Sequence, residues 1–116
     1  MSPEDCLFCR IVAGEVEAEL VREGERTLAF RDIRPQAPTH VLVVTRDHHP
    51  DAATVAGSDP GLLAELFRDA AAVAEVEGVA ESGYRLVLNT GRDAQQSVPH
   101  VHLHVIGGRG LGWPPG

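Results

Sequence analysis

His100, His102 and His104 alternate with Val101, Leu103 and Val105, so three of the six histidines in the chain stand at strict two-residue spacing. Side chains two apart on a strand share a face, which sets the imidazoles in one row roughly 6–7 Å apart and turns the aliphatics toward a core. Two chemistries use such a row. Imidazoles two apart can share one metal ion, with a carboxylate or another histidine completing the site. A neutral imidazole can instead attack phosphorus and form a phospho-histidine linkage that water later breaks. The second route needs neighbours that fix the tautomer, donate to phosphate oxygens and protonate the leaving group. The segment Asn89-Thr90-Gly91-Arg92-Asp93-Ala94-Gln95-Gln96-Ser97 supplies amides and a hydroxyl just upstream, with Ser97 five residues before His102. The bland account is a polar outer strand face and a turn-forming serine. Cys6 and Cys9, the only cysteines, form a Cys-x-x-Cys pair that does not follow a strand, which argues against a thioredoxin-like redox site. A close thiol pair in a reducing compartment either binds metal or packs as two free thiols.

The elements that must position these groups can be read from periodicity. Leu7, Phe8, Ile11 and Val12 fall at one-turn spacings, predicting a short helix over 6–13 that ends near Gly14 and carries both cysteines on one face. Residues 20–23 and 27–32 flank Gly24-Glu25 as a hairpin, and the run His40-Val41-Leu42-Val43-Val44-Thr45 reads as a central strand covered on both faces. A second helix starts at a capping Asp59 with Pro60 in its first position, and its apolar stripe (Leu62, Leu63, Leu66, Phe67, Ala70, Val73, Ala74) ends at Gly78. Strands over 84–89 and 100–106 follow. The order α, β, β, β, α, β, β predicts an α+β domain, an antiparallel five-stranded sheet with two helices on one side.

A chain of 116 residues, 43% hydrophobic and 23% charged, suits one compact domain spanning 1–116. The net charge of −7 without a basic cluster disfavours a nucleic acid polymer as partner, while leaving room for a mononucleotide held by local donors. No apolar run is long enough for a membrane span, and the stretch Met1-Ser2-Pro3-Glu4-Asp5-Cys6 lacks the layout of a secretory signal, so the expected location is cytoplasmic. The Gly- and Pro-rich tail over 107–116 reads by composition as a mobile end.

The chain resembles the histidine triad (HIT) family, and within it the Hint branch of purine nucleoside phosphoramidases. The likeness rests on Cys6-Leu7-Phe8-Cys9-Arg10-Ile11, Gly14-Glu15, Ala29-Phe30-Arg31-Asp32-Ile33, Pro35-Gln36-Ala37-Pro38-Thr39-His40, Gln96-Ser97-Val98, the run from His100 through Val105, and Gly107-Gly108-Arg109 with Trp113-Pro114-Pro115-Gly116. It implies hydrolysis of purine nucleoside 5'-phosphoramidates, adenosine monophosphate joined to an amine or a lysine, through a nucleotidyl-histidine intermediate. His102 matches the family's nucleophile, His104 the phosphate contact, His40 a supporting histidine and Ser97 the leaving-group contact. Asn89 matches the phosphate side, Gln96 a further nucleotide-binding residue, Asp32 the acceptor of the ribose hydroxyls, and Phe8, Ile11, Phe30 and Ile33 the walls around the purine. The Trp113 tail argues for this branch over dinucleoside polyphosphate hydrolysis or nucleotidyl transfer; a zinc-stabilised nucleotide-binding module without turnover is the alternative of a different class.

The resemblance also implies a structural zinc, not required for catalysis, on Cys6, Cys9, His48 and His100, with His49 a competing neighbour of His48. It implies a homodimer whose sheets join edge to edge and whose C-terminal tails reach toward the partner's site as specificity elements. Two departures stand out. Gln95 replaces the usual glycine before the glutamine-serine pair, which strains the loop if that position needs positive φ, and Glu17 replaces a common proline after the first helix.

Overall fold

A computed structural model describes residues 3–116; Met1 and Ser2, the first residues of the stretch read above as lacking a secretory layout, lie outside the described residues. A 3-10 turn at Pro3–Asp5 leads into α1 (Leu7–Val12), followed by β1 (Leu20–Glu23), β2 (Thr27–Arg31), β3 (Thr39–Thr45), α2 (Ala52–Ser58), α3 (Pro60–Val76), β4 (Tyr84–Val87) and β5 (His102–Gly107). The strands form one antiparallel sheet in the order β1-β2-β3-β5-β4. β3 is the middle strand, and all seven of its residues are buried, as its unbroken run of β-formers requires.

Period-two alternation divides the interior into two cores. Ala29, Val41, Val43, Leu103 and Val105 face α3, whose Leu62, Leu66, Ala70 and Val73 cover them together with Val55 of α2. Leu28, Phe30, Leu42 and Val44 face the other way and are covered by Cys6 and Phe8. The expectation of helices on one side is therefore corrected: α1 packs on the face opposite α3. With strands buried on both sides and only six residues in α1, that second face is covered at one end and open at the other, which makes room for a cleft.

Further corrections concern one missed helix and three strand boundaries. The helix α2 was not foreseen; its sequence Ala-Ala-Thr-Val-Ala-Gly-Ser has no apolar stripe, and it forms because the Asp51 carboxylate accepts from the Thr54 N–H at 2.9 Å, with a single buried anchor at Val55. The final strand begins at His102, not His100. Its preceding backbone turns away, with the His100 N–H bonded to the Val98 carbonyl and the Val101 N–H to the His49 carbonyl, both at 2.8 Å. β4 stops at Val87 rather than at 89, and β2 at Arg31 rather than at 32.

The hairpin of β1 and β2 is locked to α3 through Asp69, a buried carboxylate that accepts from the Thr27 hydroxyl and from Arg22 Nε. Gly24 is required at the turn because a Cβ there would collide with Thr27 Oγ1. Arg31 makes a two-pronged pair with Glu77 just past α3, at 2.6 and 2.9 Å. The tail is held at two points, by Arg109 donating to the Gln36 carbonyl at 2.9 Å and Arg85 donating to the Gly112 carbonyl at 2.8 Å.

Candidate active site

On the α1 face, a cleft of about 310 Å³ opens beside β5, lined by Phe8, Ile11, Phe30 and Ile33 on its apolar side and by Asp32, Ser97, His102 and His104 on its polar side. Register explains the arrangement. His102 pairs with Val44, His104 with Leu42 and His40 with Ile106, so the three imidazoles and the aliphatics of this core share one face.

The hydrogen-bond network assigns each ring its tautomer. His102 Nδ1 lies 2.8 Å from the His100 carbonyl, which can only accept, so Nδ1 carries the proton and Nε2 keeps its lone pair. His40 Nδ1 accepts from the Gln36 N–H at 3.0 Å, leaving Nε2–H to donate to His104 Nδ1 at 2.9 Å, with the Asp32 carboxylate 3.5 Å away. His104 must then hold its proton on Nε2, and that buried nitrogen has no hydrogen-bond partner. An unpaired buried donor on a cleft wall is costly unless a ligand accepts from it. Burial lowers the pKa of His40, His102 and His104, that of His104 to about 4, so all three rings are neutral near pH 7.

The third histidine of the row goes elsewhere. His100 donates from Nε2 to the Thr45 carbonyl at 2.7 Å and turns Nδ1 to the sulfurs of Cys6 and Cys9 at 3.3 and 3.5 Å. His48 Nδ1 lies 3.3 Å from Cys9 Sγ. One ligand atom from each of Cys6, Cys9, His48 and His100 lies within 4.8 Å of the others. Two sulfurs and two nitrogens with free lone pairs at this spacing fit a closed tetrahedral ion such as zinc. Without a cation the cluster is poorly served: burial, aided by the neighbouring Cys6 thiol, pushes Cys9 up to about 11, and burial brings His100 down to about 4. The competing His49 contributes its carbonyl to Val101 instead, so His48 is the residue that joins the cluster.

Other expected residues divide in the same way. Ser97 lines the cleft and its hydroxyl is unpartnered among the described residues. Gln96 does not reach the cleft; its side-chain amide donates to the carbonyls of Pro50 and Val98 and accepts from the Gly91 N–H, stapling the loop. Asn89 is half-buried at the end of the β4 side and does not line the cleft, and Trp113 is 83% exposed. Phe8 proves to be floor as much as wall, since its ring stands edge-on to Phe30, His100 and His102 at 5.5, 5.8 and 5.0 Å. Gln95 does adopt positive φ, at 59°, as the departure from glycine implied. Leu7, Val16, Glu17, Ala18, Leu42 and Val98 also line the cleft without having been singled out for it; Leu42 was recoverable from its alternation with Val41 and Val43.

The profile of the HIT domain family matches residues 13–111. The chain belongs to the HIT family. It is 41% identical over 109 residues to the purine nucleoside phosphoramidase of Escherichia coli K12, covering 94% of this chain and 92% of that protein. It is 42% identical over 113 residues to an uncharacterized HIT-like protein of Synechococcus elongatus, covering 97% and 98%. Its fold superposes on the crystal structure of a HIT family hydrolase from Legionella pneumophila with a TM-score of 0.92 at 48% identity, over 97% of this chain and 100% of that one. A histidine triad protein from Clostridium difficile superposes at 0.91 with 33% identity, over 97% of each chain. These relatives place this chain among the HIT family hydrolases, with the expected five-stranded antiparallel fold. Among the described residues, no helix is long and apolar enough to cross a membrane.

Proposed function

We propose that this HIT protein hydrolyses purine nucleoside 5'-phosphoramidates, with His102 as nucleophile. The observation that carries the reading is the 2.8 Å bond from His102 Nδ1–H to the His100 carbonyl, which leaves Nε2 as the lone-pair nitrogen of a residue that lines the cleft. In the first step Nε2 attacks phosphorus and the phosphorus–nitrogen bond breaks. The amine leaves with a proton delivered through the Ser97 hydroxyl, and the nucleotide stays on His102. In the second step water attacks phosphorus and gives its proton to Ser97 Oγ, restoring the hydroxyl, while the bond to Nε2 breaks and the monophosphate departs.

His104 Nε2–H donates to a phosphate oxygen in both steps, which satisfies its vacant bond, and His40 holds that tautomer in place. Asp32 has one oxygen on the Arg34 N–H at 2.8 Å, and its carboxylate is the acceptor for the ribose hydroxyls. Phe30, Ile11 and Ile33 enclose the base, with Phe8 beneath. The 41% identity to an enzyme named purine nucleoside phosphoramidase supports this substrate class.

Cys6, Cys9, His48 and His100 would hold a structural zinc whose four protein ligands leave no position for a reacting water. The chain works as a homodimer, to which the exposed Phe67 and Val76 of α3 contribute, and Trp113 of the tail tunes leaving-group choice at the partner's cleft. The test is turnover of adenosine 5'-phosphoramidate by wild type and His102→Ala, with and without a chelator. Monophosphate release that persists at a reduced rate after chelation and vanishes in the variant is expected; release that His102→Ala retains would refute the nucleophile.

A further inference from the structure

The carbonyl that sets the His102 tautomer does not belong to the sheet. β5 begins at His102, so His100 has no ladder partner, and its own N–H is taken up by a turn to the Val98 carbonyl. What holds His100 is its ring. Nε2–H bonds to the Thr45 carbonyl at 2.7 Å, and Nδ1 faces the two thiols. The next backbone bond, from Val101 N–H to the His49 carbonyl, runs into the loop that also carries His48. Phe8, which lies between the two cysteines in sequence, stands against both His100 and His102. The supports of the His100–Val101 backbone therefore converge on the thiol–imidazole cluster and the loop it ties down.

We infer that the Cys6, Cys9, His48 and His100 cluster is a positioning device for the nucleophile: closing these four side chains on a divalent metal ion fixes the His100 carbonyl, and through it the Nδ1–H tautomer of His102. Thiols and imidazoles alone are joined by weak S–H···N bonds that permit several arrangements, whereas tetrahedral ligation permits one. Loss of the carbonyl contact frees His102 to move its proton to Nε2, and an Nε2–H ring has no lone pair to offer phosphorus. His100 is thus a positioning residue acting through His102. The kinetic consequence rests on the phosphoramidase reading; the tautomer consequence does not.

The experiment uses the full chain labelled with 15N-histidine, zinc-loaded or stripped with a chelator, alongside His48→Gln. Two-bond proton–nitrogen correlation reads which His102 nitrogen is protonated, and adenosine 5'-phosphoramidate turnover is followed on the same samples. Binding of one zinc per chain is expected, with His102 held as Nδ1–H only in the loaded protein. On stripping, kcat should fall roughly tenfold while KM stays within about twofold, the size seen when supports of a metal-ordered site are removed. His48→Gln should behave like the stripped wild type. Failure to take up stoichiometric zinc overturns the inference. So does a stripped protein that keeps its near-UV circular dichroism, its His102 tautomer and its kcat. If stripping unfolds the wild type, an unchanged His102 tautomer in folded His48→Gln overturns it instead. Should no form turn over substrate while zinc still locks the tautomer, the phosphoramidase reading fails and the positioning role stands.

Discussion

Two neighbouring histidine clusters, one just before β5 and one along it, are built from the same residue type and given opposite fates by their partners. In one, His100 and His48 turn Nδ1 to a pair of thiols, which meet each lone pair with no more than a weak S–H···N bond. In the other, a chain of hydrogen bonds from Gln36 through His40 to His104 ends on a buried nitrogen without a partner, beside His102 with its lone pair free. The closed cluster has satisfied geometry and no room for substrate, whereas the open one has room and an unmet bond. Imidazole chemistry here is decided by what each second ring nitrogen touches.

The largest expected effect breaks the open cluster. His102→Ala should lower turnover by about 10⁴-fold or more while leaving the zinc content unchanged, read by monophosphate release and metal analysis on one sample. Equal loss of metal would mean that the clusters are one unit. Next in size is Leu66→Ala, on the far side of the sheet from both clusters. Emptying this fully buried site should cost about 2–5 kcal/mol of stability in urea denaturation and leave KM of the folded protein unchanged.

Protonation offers a separate test of the open cluster. Burial keeps His104 neutral down to about pH 4, whereas the same ring in the unfolded chain charges near pH 6.5. The unfolded state therefore binds more protons between those values. Stability should be full above about pH 6.5, decline as pH falls toward 4, and level off below. Because carboxylates and thiols titrate too, the readout is the difference between wild type and His104→Asn, which should decline less steeply over that window; parallel curves would contradict the buried, neutral His104. Asp32→Asn should raise KM about tenfold with little change in kcat, the signature of a substrate contact made equally in ground and transition states. A fall in kcat with KM held would assign Asp32 to the His40 relay instead. The smallest effect is a gain. Gln95→Gly relieves the left-handed backbone at φ 59° and should stabilise by roughly 0.5–1 kcal/mol in thermal or urea unfolding.

Much of this was legible in the sequence because the relevant signals are local and periodic. An unbroken run of β-formers exposed β3, alternation exposed the histidine face, and Asp59-Pro60 announced α3, whose cap the Asp59 carboxylate does provide by accepting from the Leu62 N–H. The split of the row was not visible in spacing, since two-residue spacing says which side a ring is on but not that Val101 pairs with the His49 carbonyl instead of with β3. Gln96 was expected to bind nucleotide because the family's glutamine-serine pair includes it; tertiary closure of its loop claims its amide for Pro50 and Val98. The side taken by α1 depends on which face of the sheet α3 leaves open, a long-range fact that no window of six residues contains.

The central claim is a covalent route through His102, and the stereochemical course at phosphorus tests it most directly. A single P-chiral isomer of an adenosine 5'-phosphorothioamidate, hydrolysed in 18O-water, should give product with net retention, because two in-line displacements each invert. Net inversion would mean that water attacks phosphorus directly and that His102 forms no intermediate.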